Sequence, residues 1–111
     1  MTPGSGPEDK RRFQRLLRPF DATWRGASGH GDCRVTDLSL GGCYVQCRAT
    51  PRKGEETTVT ITFSSDEILS FAGRVVYADA NMGFAMEFNP LTPVQAERLR
   101  IVLNRVGIQV S

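Results

Sequence analysis

The sequence predicts a mainly β fold, a small six-stranded antiparallel barrel with a C-terminal α-helix and a flexible N-terminal arm. Two observations favour it. Segments with apolar residues at every second position alternate with turns rich in Gly, Pro, Asn and Asp, and the final segment has the apolar period of a helix. Because the chain has 111 residues, it can bury one modest core, and a barrel whose end is covered by the helix does so.

Six segments show strand patterns, and we expect them to follow one another as hairpins. The clearest is 58–63, where Val59, Ile61 and Phe63 alternate with threonines. In the fifth segment the same period predicts that Phe71, Gly73, Val75 and Tyr77 share one face, with Gly73 at a bend or bulge. The predicted strands cover residues 18–25, 33–37, 42–48, 58–63, 68–78 and 83–88.

Residues 92–106 have the signals of one amphipathic helix. Thr92 suits the N-cap, Pro93 the first helical position, and Gln95 completes a capping box. Gly107 is a natural stop. One apolar stripe is expected to pack on the barrel, formed by Leu99, Val102, Leu103 and Val106.

The N-terminal part of the chain divides into two stretches. Residues 1–9 are rich in Pro, Gly and Ser and predict a flexible leader. Residues 10–18 form a basic arm, although the whole chain carries a net charge of only +2. Such a local cationic patch fits a compact anionic ligand better than a long polyanion. The single domain is therefore expected at 10–107, with the arm at 10–18, the barrel at 19–89 and the helix at 92–106. The cations of the arm are Lys10, Arg11, Arg12, Arg15 and Arg18.

A turn at 38–41 brings Asp37 and Ser39 to the mouth of a hairpin, followed by Gly41 and Gly42. These residue types are common in turns, and either glycine could supply a positive φ or a bulge. The turn and the arm are also chemically complementary. Arginine grips phosphates and the O6/N7 edge of guanine, while a carboxylate accepts from the guanine N1–H and amino group.

The two motifs together resemble the PilZ family, small β-barrel receptors for the bacterial second messenger cyclic di-GMP. Arg11 and Arg15 match its RxxxR motif, and Asp37, Ser39 and Gly42 match its (D/N)xSxxG motif. The resemblance extends from about residue 10 to about residue 105. It implies a cytoplasmic receptor acting in motility or biofilm regulation, which orders its arginine arm on binding and signals through a protein partner.

The resemblance also assigns roles to individual residues. Arg11, Arg15 and the additional Arg12 would hold phosphates and guanine edges, and Asp37 would accept from a Watson–Crick edge. Ser39 would donate to the ligand, and Gly42 would let the backbone approach closely. Further contacts are expected from Lys10, Gly41 and Tyr77, with Lys10 influencing whether one ligand or a stacked pair binds. For Tyr77, a place in the core or the barrel wall is the alternative.

Other functional classes have less support in the sequence. We expect no catalysis, because the chain has no nucleophile elbow, no P-loop and one isolated histidine, His30, in a glycine-rich loop. A nucleic-acid-binding barrel would need outward aromatics along a basic groove, and membrane insertion would need a long apolar run. We therefore expect neither partner. A protein-interaction adaptor that keeps the fold without binding nucleotide stays open as the alternative, and a small nucleic-acid-binding barrel is a weaker one.

The three cysteines predict neither a disulfide framework nor a metal site. Cys43 and Cys47 would lie on one face of a strand about 13 Å apart, too far to share an ion. Cys33 could face Cys43 across a hairpin, but a cytoplasmic compartment favours free thiols. The sequence therefore predicts no metal and no cofactor.

Overall fold

Six strands and one C-terminal helix make up the fold, which confirms the predicted mainly β class. The structure, a computed structural model, describes the backbone of residues 14–107 and the side chains of residues 19–107. The elements are β1 (Gln14–Gly26), β2 (Gly29–Leu38), β3 (Gly42–Gln46), β4 (Glu56–Ser64), β5 (Glu67–Asp79), β6 (Gly83–Phe88) and α1 (Pro93–Arg105).

The strands close into an antiparallel barrel in the order β1-β2-β3-β6-β5-β4. Four pairs of consecutive strands form hairpins. The prediction that all six strands follow one another as hairpins is wrong for β3 and β4, which do not pair. Instead β3 pairs with β6 and β1 pairs with β4, and these two ladders close the ring. Closure satisfies the backbone groups that an open sheet would leave at its edges.

The core fills the barrel and continues under the helix. Alternate residues of each strand point inward, as the period-2 patterns require, and Val59 and Ile61 are fully buried. Leu99 and Leu103 of α1 join the same core. Val106 is 36% exposed at the C-cap, so the buried stripe of the helix ends at Leu103 rather than at the predicted Val106.

The start and the end of α1 follow the predicted signals. Thr92 Oγ1 accepts from the backbone N–H of Gln95 at 3.1 Å, and Gln95 Oε1 accepts from the N–H of Thr92 at 3.0 Å, which completes the capping box. Pro93 opens the helix, and Gly107 follows it with φ of 90°. The capping and stop predictions are confirmed.

Tyr77 does not lie on the same face of β5 as Phe71, Gly73 and Val75, contrary to the prediction from the sequence. The register between β5 and β6 shifts between Val75 and Tyr77, and this bulge turns Tyr77 outward, where it is 39% exposed. Gly73 is not at the bulge. A β-carbon there would overlap the carbonyl oxygen of Glu87, so glycine is required by the close approach of β6.

Two strands begin four residues earlier than their patterns predict. β1 starts at Gln14 rather than Arg18, so it includes residues 14–18 of the predicted arm. β2 starts at Gly29 rather than Cys33, which places the exposed His30 in a strand opposite Arg25 instead of in a loop. In β2 the backbone pairing continues through residues that have no apolar alternation, whereas in β1 it resumes at Gln14 and Arg15 beyond a break in register.

Candidate ligand-binding site

The candidate site lies on the outer wall of the barrel, where one row of paired residues crosses five strands. Arg15 of β1 is the ladder partner of Asp37 in β2, and Asp37 is the partner of Tyr44 in β3. Tyr44 pairs with Ala85 of β6, which in turn pairs with Tyr77 of β5. Tyr44 lies on the outer wall because its chain neighbours Cys43 and Val45 are buried in the core. The row therefore joins the two sequence motifs, which lie some twenty residues apart.

The turn after β2 is fixed by its own backbone and by the last strand. Ser39 N–H donates to the carbonyl of Gly42 at 2.9 Å, and Ser39 Oγ accepts from Gly41 N–H at 3.2 Å. The carbonyl of Gly41 accepts from Phe88 N–H at 2.8 Å, which ties the turn to β6. These hydrogen bonds fix the position of Ser39, two residues after Asp37, relative to β6.

The expected roles of the turn glycines need a correction. Neither Gly41 nor Gly42 is among the described glycines with a positive φ. The bulge near the turn lies in β2, between Val35 and Asp37, where the register with β3 shifts. It is therefore the strand before the turn, rather than its glycines, that changes the direction of the outer wall at Asp37.

Two tyrosines continue the row beyond the turn. Tyr44 Oη donates to Asp79 Oδ2 at 2.8 Å, and the rings of Tyr44 and Tyr77 lie with centroids 6.3 Å apart and planes at 41°. Desolvation, then the hydrogen bond and negative charge of Asp79, raise the pKa of Tyr44 above its ordinary value. The phenol therefore stays neutral and remains a donor at physiological pH.

The structure brings most of the predicted site residues together. Asp37, Ser39, Gly41 and Gly42 share one turn, and Tyr77 lies along the same outer row. For Arg15 the structure fixes only the backbone position opposite Asp37. Lys10, Arg11 and Arg12 lie outside the described residues.

A family model described as the PilZ domain matches residues 9–104, most of the chain. The chain belongs to the PilZ family. The match includes both motifs and every strand of the barrel, and it confirms the resemblance inferred from Arg11, Arg15, Asp37, Ser39 and Gly42. A comparison with curated protein sequences finds no match for this PilZ chain.

Solved structures of PilZ domains share the fold at low sequence identity. The PilZ domain of CeSA from a cellulose-synthesizing bacterium is 19% identical, with a TM-score of 0.61, covering 83% of this chain and 97% of that one. The PilZ domain of YcgR from Escherichia coli, a structure with c-di-GMP, is 17% identical, with a TM-score of 0.63 and coverages of 86% and 92%. The Bacillus subtilis inhibitor of motility MotI/DgrA is 13% identical, with a TM-score of 0.61, covering 86% of this chain and 50% of that one.

The cysteines of this PilZ domain are free thiols. The ladder partner of Cys43 is Leu38, so Cys33 does not face Cys43 across the hairpin. Burial, with smaller contributions from Cys47 and Asp32, raises the pKa of Cys33 to about 12, and burial likewise raises that of Cys43. Both thiols are therefore protonated packing groups.

Neither a metal-binding group nor a membrane-spanning helix is found among the described residues. Residues 14–107 contain no group of three His, Cys, Asp or Glu side chains placed to hold a metal ion. Within the same residues, no helix has the length and apolar character needed to cross a bilayer.

A depression of about 450 Å³ lies elsewhere on the wall and shares no residue with the Asp37 row. It carries charges of both signs, with Arg25 near Asp32, and its side chains are mostly exposed. Its lining consists of Thr23, Trp24, Arg25, His30, Gly31, Asp32, Thr58 and Thr60.

Proposed function

We propose that the protein is a cyclic di-GMP receptor, a binding domain rather than an enzyme, and that the ligand lies on the outer wall around Asp37. The observation that carries the proposal is the register that makes Arg15 the ladder partner of Asp37. Arg15 can bind phosphate, and Asp37 can accept from the guanine Watson–Crick edge. As paired residues of adjacent strands, their Cα atoms are about 5 Å apart. The structurally similar PilZ domain of YcgR was solved with c-di-GMP, which adds support.

Each residue of the proposed site has a separate task. Arg11, Arg12 and Arg15 hold phosphate oxygens and guanine Hoogsteen edges as planar forks. Asp37 accepts from a guanine N1–H and amino group. Ser39 Oγ accepts from Gly41 N–H, and its hydroxyl donates to the carbonyl of Gly42 over a long 3.4 Å, a weak bond that a ligand acceptor can replace.

Binding is proposed to act as a switch through the arginine arm. Residues 14–18 already belong to β1, so we expect the added order to fall on residues 8–13. The arm and ligand together then form a new surface that a protein partner recognises. Slower amide exchange in 8–13 on adding ligand is the expected sign, and unchanged exchange there would contradict the switch while leaving binding intact.

A calorimetric titration tests the receptor proposal. We expect binding at micromolar concentrations or tighter with cyclic di-GMP and none with GTP or a short single-stranded oligonucleotide. An Arg11→Ala/Arg15→Ala variant should lose the binding. An Arg98→Ala/Arg105→Ala variant removes the same charge from exposed positions on α1 and should retain it.

The same titration separates the alternatives. Its stoichiometry distinguishes one ligand from a stacked pair, for which the cationic Lys10 would be an additional contact. Absence of binding in the unaltered protein, checked by a second method, would overturn the receptor proposal and favour the protein-interaction adaptor. Equal loss of affinity in both double variants would mean that net charge, rather than the arginine motif, attracts the ligand.

A further inference from the structure

Tyr44 is held in place at three points on the outer wall. Its hydroxyl donates to Asp79 at 2.8 Å. Its ring lies over Gly83 of β6, the strand between β3 and β5, and a β-carbon at Gly83 would come within 2.9 Å of Tyr44 Cε2. Its ladder neighbour Ala85 is fully buried although it lies on the outer wall. A side chain at 83 is excluded first by the backbone carbonyl of Val45, and the glycine that this requires also leaves room for the Tyr44 ring over β6.

The β-carbon end of the ring is next to Asp37, where the ligand is proposed to bind. Tyr44 is the ladder partner of Asp37, and paired residues on one face of an antiparallel sheet have β-carbons about 4.5–5.5 Å apart. When Asp37 binds the edge of a guanine, the flat faces of the base stay free for stacking. Tyr44, on the neighbouring strand β3, is the aromatic residue placed to stack on one of them. Tyr77, tilted at 41° beside it, extends the aromatic surface away from Asp37.

Resting on the proposed function, we propose that Tyr44 is the ring on which one guanine of the ligand stacks, and that Asp79 is the positioning residue that holds it. A ring that is already fixed loses little freedom when a base stacks on it, so more of the stacking energy contributes to affinity. The Tyr44–Asp79 hydrogen bond fixes that ring before the ligand arrives.

Tyrosine ring signals give a direct test, because the chain contains only two tyrosines, Tyr44 and Tyr77. With ring-labelled tyrosine in the full chain, a Tyr77→Phe variant assigns the two sets of signals. Saturation with cyclic di-GMP should move the Tyr44 ring signals upfield, as stacking under a purine requires. The Arg11→Ala/Arg15→Ala variant keeps both tyrosines and should show no such movement. Binding detected by calorimetry with Tyr44 signals unmoved would overturn the inference.

Affinities of matched variants test the two residues separately. Tyr44→Leu removes the ring and should weaken binding roughly five- to a hundredfold. Tyr44→Phe keeps the ring over Gly83 without the hydroxyl, so it should bind more weakly than the unaltered protein but more tightly than Tyr44→Leu. Asp79→Ala should match Tyr44→Phe, and the double variant should be no weaker than either, since both remove one hydrogen bond. Asp66→Ala, at another exposed turn, serves as the control.

The outcomes distinguish this inference from the function on which it rests. If Tyr44→Leu binds cyclic di-GMP as the unaltered protein does, Tyr44 is not a stacking residue, although the receptor proposal stands. If Tyr44→Leu only lowers the melting temperature, its role is structural and the inference fails. If the unaltered protein does not bind at all, the proposed function fails and this inference fails with it.

Discussion

At Gly73 the main chains of β5 and β6 come so close that no side chain fits. An added β-carbon would overlap the carbonyl of Glu87 and come within 2.9 Å of Phe88 Cα, and both are backbone atoms that cannot rotate away. Glycine is required here by the close approach of β6 and not by its own backbone conformation, since its φ is not in the left-handed region.

Gly73→Ala is therefore expected to destabilise the protein by roughly 1–3 kcal/mol, as overpacking does. Urea denaturation followed by the fluorescence of Trp24 measures the change. Gly31→Ala is the matched control: its β-carbon would meet Trp24 Nε1 at 3.7 Å, an ordinary contact, so its stability should hardly change. Equal costs at both positions would show that the close approach at Gly73 relaxes freely.

Arg15→Lys tests the geometry of the proposed phosphate contact. Lysine keeps the charge but lacks the planar fork, so it should not restore full affinity for cyclic di-GMP. Removing a charge-assisted contact altogether, as in Arg15→Ala, should cost roughly 1.5–3 kcal/mol, about ten- to a hundredfold in affinity. Calorimetric titration compares the three proteins. A lysine variant that binds like the unaltered protein would rule out the bidentate contact.

Residues of the site differ in how far the sequence alone could identify them. Asp37, Ser39 and Gly42 lie within six positions of one another, so a local motif finds them. Tyr44 was missed because its hydrogen-bond partner, Asp79, is 35 positions away and no local pattern links the two. For Tyr77 the period of two predicts the wrong face, because it does not reveal the residue that the bulge adds.

Among the elements, one carboxylate ties the connection between β3 and β4 to the turn between β1 and β2. Glu55 accepts from both the backbone N–H and the hydroxyl of Ser28 at 2.8 Å, and from Arg52 N–H at 3.0 Å. These bonds join the β1–β2 turn to the loop that precedes β4. Desolvation by itself would raise the pKa of Glu55, but the hydrogen bonds outweigh it and lower the pKa below its ordinary value of 4.5.

This carboxylate should make part of the stability depend on acidity. Because the pKa is lower in the folded protein, the contribution is fully present above pH 4.5 and is lost as the pH falls through the lowered value. Melting temperatures between pH 7 and pH 3 measure it. Glu55→Gln should be less stable than the unaltered protein at pH 7, with the difference shrinking in acid. Glu56→Gln, the same substitution at the exposed neighbour, serves as the control.

Period and capping signals predicted the elements better than they predicted the pairing. Alternation identified every strand, and the capping box at Thr92 identified the helix start, because both depend on residues close in sequence. The β3–β6 and β1–β4 pairings depend on closure of the whole ring. No pattern within a single segment of the sequence predicts them. Strand ends were also missed where pairing continues into polar residues such as His30.

For the whole molecule, ligand binding and folding are linked by mass action. A ligand that binds only the folded protein raises the free energy of unfolding by about 2.7 kcal/mol at one hundred times its dissociation constant. For a domain of this size that corresponds to a rise in melting temperature of about 10 °C or more. Thermal denaturation with cyclic di-GMP should show it. The Arg11→Ala/Arg15→Ala variant should show none, and a rise in that variant would place the ligand at another site.

The start of β1 extends beyond the ring that it helps to close. β4 pairs with β1 from Asp21 to Gly26, whereas Gln14 and Arg15 pair with β2, past a break in register. The stretch of β1 that carries Arg15 is therefore not the stretch that completes the barrel. Replacing Arg15 is therefore expected to alter ligand recognition while the β1–β4 ladder that closes the ring is kept.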